Sequence, residues 1–154
     1  MDIFLGEPPA NVKQWIIDHA MPPGSAVHTE TRFTLQDGTV EEYPINGVLD
    51  LDWMVAKGFY EGDDEEGHWV KIITSVDIGT TAILGYFAFV GCTNLTTITI
   101  PDSITSYSNI DESFLGCENI NSVTIVANGG NAENVKQMMI SAGVSSSITW
   151  NMPS

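Results

Sequence analysis

The chain has 154 residues, a length that suits one domain, with room for a small second module. Hydrophobic residues make up 43% of it and charged residues only 16%, which is typical of a globular chain and excludes a disordered tail. Twenty acidic and five basic residues give a net charge of −15, so we predict no nucleic-acid partner and no binding to an anionic membrane surface. No apolar run approaches the roughly 18 residues that span a bilayer, which predicts no membrane insertion.

The first residues and the cysteines predict where the chain is made. Residues 1–7 carry no basic region and their apolar run stops after three residues, so they do not resemble a signal peptide. Cys92 and Cys117 are too few for a disulfide framework and lack metal-ligand spacing. We expect both to pack as small apolar side chains instead of forming a redox pair. These features predict synthesis in the cytoplasm without a signal peptide.

The N-terminal half begins with a predicted helix and a predicted hairpin. Residues 11–21 place apolar side chains on one helical face and are followed by a pair of prolines that end the helix. Residues 31–35 and 40–45 alternate in polarity around Asp37 and Gly38. An Asp-Gly pair between alternating segments predicts a β-hairpin.

A short helical turn and an acidic hairpin follow in the sequence. Apolar positions in 51–55 predict one helical turn that ends at Gly58. Residues 58–60 and 68–72 predict a strand pair joined by the acidic loop 61–67. The carboxylates of this loop lack the alternating spacing of an EF-hand, so we interpret the loop as a solvated hairpin tip. Calcium binding by the loop stays open as an alternative, and no metal site is predicted.

The second half of the chain repeats itself. Residues 89–100 align with 114–125 at a spacing of 25, with Phe, Gly, Cys, Asn and Thr recurring identically. The triplet at 76–78 matches those at 98–100 and 123–125. In each triplet the outer residues point to one side and the middle residue to the other, as in a strand. We call each repeating unit of strand and return loop a coil. A single coil cannot cover its own apolar face, so this pattern predicts that the strands of successive coils stack in parallel.

The repeat predicts a core and an exposed face. The predicted repeat core consists of the recurring apolar side chains Phe89, Cys92, Leu95, Ile98, Ile100, Phe114, Cys117, Ile120, Val123 and Ile125. Each such side chain stabilises the fold by roughly 1.5–3 kcal/mol when it is fully buried. The polar residues between them are the candidate binding face, namely Thr97, Thr99, Ser122 and Thr124.

The C-terminal segment predicts a cap for the last coil. Residues 131–142 predict a helix, with Asn131 as its N-cap and Gly143 just after its end. Residues 147–150 predict a closing strand. A helix and a strand at this point would cover the core that an open coil end exposes.

The stretch from Gly85 to Thr105 resembles the BspA-like leucine-rich repeats. Their pattern is x-I-G-x-x-A-F-x-x-C-x-x-L-x-x-I-x-I-P-x-S-V-T, and the stretch reads G-Y-F-A-F-V-G-C-T-N-L-T-T-I-T-I-P-D-S-I-T. The resemblance covers about residues 76–125 and has several departures. Ser113 stands where the family has Ala, and Ser108 and Asn109 stand where Ile and Gly are usual. The loop from Ile78 to Phe89 is shorter than the family's usual spacing, and the loop from Ile100 to Phe114 is longer. It implies a non-enzymatic binding protein of the kind found on the surface of, or secreted by, host-associated microbes, with short versions in their bacteriophages.

The expected fold class is α+β. It consists of a small N-terminal helix and hairpin module for docking at 1–75, then a leucine-rich-repeat domain at 76–154. That domain is expected to be a short solenoid with a C-terminal helix–strand cap. No catalytic residue, cofactor or metal is predicted, because His19, His28 and His68 have no partners at metal-ligand spacing.

The expected function is non-enzymatic protein binding or a structural role. Our first expectation is a phage virion component, a fibre, tail or capsid decoration protein that presents the repeat for attachment. A bacterial surface or secreted adhesin and an intracellular interaction or inhibitor protein remain as alternatives. The expected partner is a protein or glycan on a cell surface or virion, and the expected location is the virion or otherwise the cell surface. With so few coils, we also expect a homo-oligomer or a larger assembly.

Overall fold

The computed structural model describes residues 28–62, 67–106 and 112–153. Within these ranges the chain forms a small α+β structure with three sheets and two helices. The elements, in chain order, are β1 Thr31–Leu35, β2 Val40–Tyr43, β3 Val48–Leu49, α1 Leu51–Ala56, β4 Tyr60–Glu61, β5 His68–Trp69, β6 Ile73–Asp77, β7 Ile83–Leu84, β8 Thr97–Pro101, β9 Thr105–Ser106, β10 Ser122–Val126, α2 Ala132–Ser141 and β11 Thr149–Asn151. The helix predicted at 11–21 lies outside the described residues.

The largest sheet has six strands in the order β11-β10-β8-β6-β1-β2. Strands β6, β8, β10 and β11 are parallel, as expected for strands that recur once per coil. Their register places Val76, Ile98, Val123 and Trp150 in one row across the sheet. The two triplets that match at a spacing of 25 are therefore direct neighbours, and the earlier triplet lies next to them.

The inner face of this sheet forms the core together with the turns behind it. All ten residues of the predicted repeat core are at most 8% exposed. The rings of Phe89 and Phe114 stack with their centroids 5.5 Å apart and their planes 4° from parallel. Aromatic rings in this distance range contribute about 0.5–1.5 kcal/mol beyond the area that they bury. Residues that correspond in the two repeats therefore contact each other in the core.

The hairpin predicted around Asp37 and Gly38 is confirmed as β1 and β2. Gly38 has a φ of +91°, a conformation that glycine adopts at little cost, and the Asp37 carboxylate accepts a hydrogen bond from the backbone N–H of Thr39 at 2.9 Å. Strand β1 pairs antiparallel with β6, so the hairpin extends the sheet of the repeats. Because β6 crosses residue 75, the sheet is continuous through the predicted module boundary, and the boundary itself stays a prediction.

Smaller elements complete the described part of the chain. The predicted helical turn is confirmed as α1, whose N-cap Asp50 accepts a hydrogen bond from the backbone N–H of Trp53 at 2.9 Å. The predicted acidic hairpin is present as β4 and β5, but its strands have two residues each. Beyond these strands, the backbone N–H groups of Val70 and Lys71 both donate to the carbonyl of Phe59. Strands β3, β7 and β9 form a second, parallel sheet that the sequence did not indicate.

The C-terminal helix and strand are present, with one correction. Helix α2 lies within the predicted range, and Gly143 follows it with a φ of +116°. Asn131 occupies the N-cap position, as predicted, but its side chain does not make the capping hydrogen bond expected of an N-cap. Its φ of −116° and ψ of 28° differ from the extended conformation of a typical N-cap. No helix in the described ranges is both long and apolar enough to cross a bilayer.

Candidate binding face

The outer face of the six-stranded sheet carries the four residues of the candidate binding face. Thr97 lies beside Ser122, and Thr99 lies beside Thr124, on the adjacent strands β8 and β10. All four side chains are partly exposed, whereas Ile98 between the two threonines is buried. Alternation along each strand therefore places hydroxyl groups outside and aliphatic groups inside.

The same face continues onto two further strands. Ser75 and Asp77 of β6 lie in register with Thr97 and Thr99. On the other side, Thr149 and Asn151 of β11 lie in register with β10. We call the eight residues in these two rows the polar face: Ser75, Asp77, Thr97, Thr99, Ser122, Thr124, Thr149 and Asn151.

Hydrogen bonds between side chains of the polar face use only part of their hydrogen-bonding capacity. Thr97 Oγ1 donates to Ser75 Oγ at 2.8 Å, and Asn151 Nδ2 donates to Thr124 Oγ1 at 3.2 Å. Among the described residues, neither Thr99 nor Ser122 makes a side-chain hydrogen bond. Since a hydroxyl donates one hydrogen bond and accepts two, the face retains both donors and acceptors for a partner.

The hairpin side of this face carries charges that are already paired. Asp77 Oδ2 lies 2.9 Å from His28 Nε2, and His28 Nδ1 lies 2.6 Å from the carbonyl oxygen of Glu30. Arg32, which pairs with Asp77 in the sheet register, forms an ion pair with Glu42 at 2.8 Å. The uncharged hydroxyl and amide groups are therefore the part of the face with unused hydrogen-bonding capacity.

The two cysteines lie behind the sheet, in the turns of successive coils. Cys117 Sγ donates to the carbonyl oxygen of Phe89 at 2.9 Å, and Cys92 Sγ to that of Ile73 at 3.8 Å. Burial raises the pKa of the Cys117 thiol to about 12 and raises the pKa of Cys92 as well. A thiol acts as a nucleophile or metal ligand only as the thiolate. In this environment both cysteines serve packing and link one coil to the next.

The turns are also joined by their backbones. The N–H of Phe89 donates to the carbonyl of Ser113 at 2.7 Å, and the N–H of Phe114 donates to the carbonyl of Ala142 at 2.9 Å. Ala142 follows helix α2, so the C-terminal segment continues the stack behind the sheet as well as within it. What the sequence predicts as a cap therefore has the pairing pattern of a further coil.

The departure of Ser113 from the repeat pattern has a structural reason. Its side chain is completely buried, and its hydroxyl donates to the carbonyl oxygen of Gly85. The matching residue one repeat earlier, Ala88, is also completely buried. A serine fits here because its hydroxyl has an acceptor in the neighbouring coil.

The remaining titratable side chains do not form a reactive cluster in the described ranges. His68 Nε2 lies 3.2 Å from Glu61 Oε1, and both side chains are more than two-thirds exposed. No group of three or more His, Cys, Asp or Glu side chains in the described residues could hold a metal ion. The acidic residues 63–66 of the loop lie outside these ranges, so calcium binding there is not tested.

Stacked parallel strands, one per coil and backed by short turns, define the class of repeat proteins. The sequence model of the BspA type Leucine rich repeat region (6 copies) matches residues 69–146, half of the chain, and the chain belongs to this family. The resemblance seen in the sequence is thereby confirmed, and the match extends it into β5 and α2. Leucine-rich repeats of this type are generally non-enzymatic protein-interaction modules. Comparisons with curated proteins and with solved structures found no match.

Proposed function

We propose that the chain is a non-enzymatic module whose coils form a short solenoid and whose polar face binds a protein partner. One observation carries the proposal: eight polar side chains lie in two rows on four parallel strands, and the row between them is buried at Val76, Ile98 and Val123. Binding groups on strands are held more precisely than groups on loops. A partner would therefore meet hydroxyl and amide groups that are already in place.

The chemistry of the polar face favours recognition over catalysis. A hydroxyl group becomes a nucleophile beside a base that can take its proton. At this face the groups that could act as a base, Asp77 and His28, are bonded to each other, and His28 is also bonded to the Glu30 carbonyl. The face instead offers a shallow array of donors and acceptors. Such an array is suited to the polar part of a protein interface, in which hydrogen bonds occur about once per 100–200 Å².

As the place of action we propose a phage virion, where the chain would be a fibre, tail or capsid decoration protein. This part of the proposal rests on the resemblance to short repeats of the same type in bacteriophages. The hairpin β1–β2 and the residues before it would dock on the particle, and the solenoid would present the polar face outwards. A surface adhesin or an intracellular interaction protein would use the same face in another location.

The polar face is tested by replacing Thr99 and Thr124 together with arginine. We expect the fraction of purified particles that binds to host cells to fall at least about tenfold, because two bulky side chains would prevent close contact of the polar face with its partner. The amount of the chain per particle, measured by quantitative mass spectrometry, should stay at the wild-type level. The control variant carries arginine at Gln137 and Ser146, which are exposed and lie off the sheet. The thermal unfolding midpoint of both variants should stay near that of the wild type.

The outcomes separate the place of action from the binding face. Absence of the wild-type chain from washed particles would contradict the virion proposal, and fractionation of the producing cells would then distinguish a surface adhesin from an intracellular protein. Binding to host cells at the wild-type level by particles that carry the Thr99→Arg/Thr124→Arg variant would contradict the assignment of the polar face.

A further inference from the structure

A groove of about 500 Å³ lies between the acidic hairpin and the turns of two successive coils. Residues of the β4–β5 hairpin form one side, and the turns around Gly91 and Gly116 form the other. We call it the turn groove. None of the eight polar-face residues lines it, so it is a separate surface. Its volume lies within the range of about 300–1,000 Å³ that is usual for ligand pockets.

The walls of the turn groove hold large apolar side chains that face water. Ile72 and Leu115 are 36% and 38% exposed, and both line the groove. Trp69 lies beside them, held by a hydrogen bond from its Nε1 to the Val90 carbonyl at 2.9 Å and by stacking on Phe89. Exposed apolar side chains that converge on one concavity mark an interaction site. A rigid tryptophan is also the residue type most enriched at binding hot spots.

Glycines keep the floor of the turn groove open. Gly91 and Gly116 have φ values of +68° and +81°, which favour glycine, and they lie one above the other. A Cβ atom on Gly116 would lie 3.2 Å from the Cα of Gly91, a tighter contact than side chains usually make. Thr93 and Asn94 add polar groups at the lining. Glycine at position 116 therefore lets the two turns pack closely, and a Cβ atom on Gly91 would meet nothing within 4 Å.

Charge decides which occupant fits the turn groove. Among the residues that the structure describes, no Lys or Arg side chain lines it. The basic residues of the described ranges are engaged elsewhere: Arg32 and Lys71 with carboxylates, and Lys57 and Lys136 over aromatic rings. Glu61 does not itself line the groove, but its exposed carboxylate contacts the lining residue His68 and therefore lies at the edge of the groove. The whole chain carries a net charge of −15. Such a surface attracts a cationic segment and repels an anionic one.

We propose that the turn groove binds a segment of a protein partner in which a Lys or Arg stands next to a large apolar side chain. The apolar side chain lies against Ile72, Leu115 and Trp69, and the cation pairs with Glu61. This contact is independent of the polar face, so a partner could use either surface or both. Linking two such contacts raises the overall affinity through effective concentration.

The test is an array of immobilised hexapeptides, probed with the full-length labelled chain. In one half of the array a central Lys or Arg stands next to each of the common amino acids, and in the matched half Glu replaces the cation. We expect binding to members with Leu, Ile, Phe or Trp beside the cation, at least about tenfold above their Glu counterparts and weaker at high salt.

Matched variants connect this binding to the turn groove. We expect Ile72→Ser/Leu115→Ser to reduce the affinity for the best peptide at least about tenfold, since both apolar contacts are lost. The control Val40→Ser/Val55→Ser removes two side chains of equal or greater exposure that do not line the groove, and its affinity should equal that of the wild type. Glu61→Gln should lower the affinity about threefold or more, whereas Glu133→Gln should not.

Three results would overturn the proposal. The first is an array without preference for cationic–apolar members. The second is equal binding by the wild type and the Ile72→Ser/Leu115→Ser variant, with both chains shown to be folded by circular dichroism. The third is displacement of the best peptide by a neutral methyl hexoside, which would make the turn groove a sugar site. None of these results depends on the polar face, so the proposed function is judged separately.

Discussion

Each of the two cysteines donates its thiol to a backbone carbonyl, with Cys117 bonded to the Phe89 carbonyl of the preceding turn. Burial raises the pKa of this thiol to about 12, so the thiolate is scarce at neutral pH. We expect alkylation of both cysteines by iodoacetamide at about pH 8 to be at least about 100-fold slower in the native chain than in denaturant. Mass spectrometry of the time course measures this. Rapid native alkylation of Cys92 or Cys117 would show that these turns open easily.

Ser113 offers a second prediction at the scale of one residue. Ser113→Ala would restore the alanine of the family pattern, but it would also remove the donor to the carbonyl of Gly85. Because a buried acceptor without a partner is costly, we expect the free energy of unfolding to fall by about 1–3 kcal/mol. Ser122→Ala, on the partly exposed polar face, should change it by less than about 0.5 kcal/mol. Denaturant unfolding measures both, and a Ser113→Ala variant as stable as the wild type would refute the role of this hydroxyl.

Between elements, Asp102 joins the end of β8 to the loop that follows β10. Its buried carboxylate accepts hydrogen bonds from the backbone N–H groups of Asn128 at 2.7 Å and Gly130 at 3.1 Å. Asp102→Asn replaces the charged acceptor by an amide, and we expect a loss of about 2 kcal/mol of unfolding free energy. Glu118→Gln, an exposed change of the same kind, should cost less than about 0.5 kcal/mol. Equal stability of the two variants would contradict this role of Asp102.

The edge strand β2 is tied to the loop before β6 by a polar cluster. Glu41 accepts hydrogen bonds from Tyr43 Oη at 2.7 Å and from Lys71 Nζ at 3.0 Å. The hydrogen bond from Tyr43 lowers the pKa of Glu41 below its ordinary value of 4.5, and Lys71 lowers it further. Burial and the same hydrogen bond raise the pKa of Tyr43 to about 12. The ionised Glu41 and the protonated Tyr43 are thus the forms that the folded state favours.

This cluster predicts opposite effects at the two ends of the pH scale. The contribution of Glu41 is complete above pH 4.5 and is lost as the pH falls through its lower folded pKa. The contribution of Tyr43 is complete below pH 10 and is lost as the pH rises toward 12. We expect the free energy of unfolding of Glu41→Gln to depend less on pH at acid pH than that of the wild type. For Tyr43→Phe we expect it to depend less on pH at alkaline pH. Denaturant unfolding measured across the pH range checks this. A pH dependence of the unfolding free energy identical to that of the wild type would contradict it.

For the molecule as a whole, the parallel stack could be predicted because its signal recurs. The segments that contain Ile98 and Val123 are identical at six of twelve aligned positions, and equal spacing places equal residues side by side. The four threonine and serine residues of the candidate binding face followed from the same alternation. Only the period of a strand and the need of one coil for a neighbour were required.

Other parts of the fold carry weaker signals. Strand β11 continues the parallel stack, but Trp150 stands 27 residues after Val123 and differs from it in type, so Thr149 and Asn151 were not assigned to the face. The second sheet has strands of two residues, too short to show any period. The turn groove is formed by a hairpin and by turns of the repeats that are distant from it in the sequence. A local sequence pattern does not indicate which distant segments lie next to each other.

The central claim is that successive coils place their aliphatic rows next to one another and leave the polar rows outside. Methyl NOE spectroscopy on selectively labelled protein tests this directly, because partners on adjacent strands have Cβ atoms about 4.5–5.5 Å apart. We expect strong cross-peaks from the Ile98 methyl groups to those of both Val76 and Val123, and none between Val76 and Val123, which lie two strands apart. Ile98 without a cross-peak to either valine would contradict the stacked arrangement and, with it, the polar face.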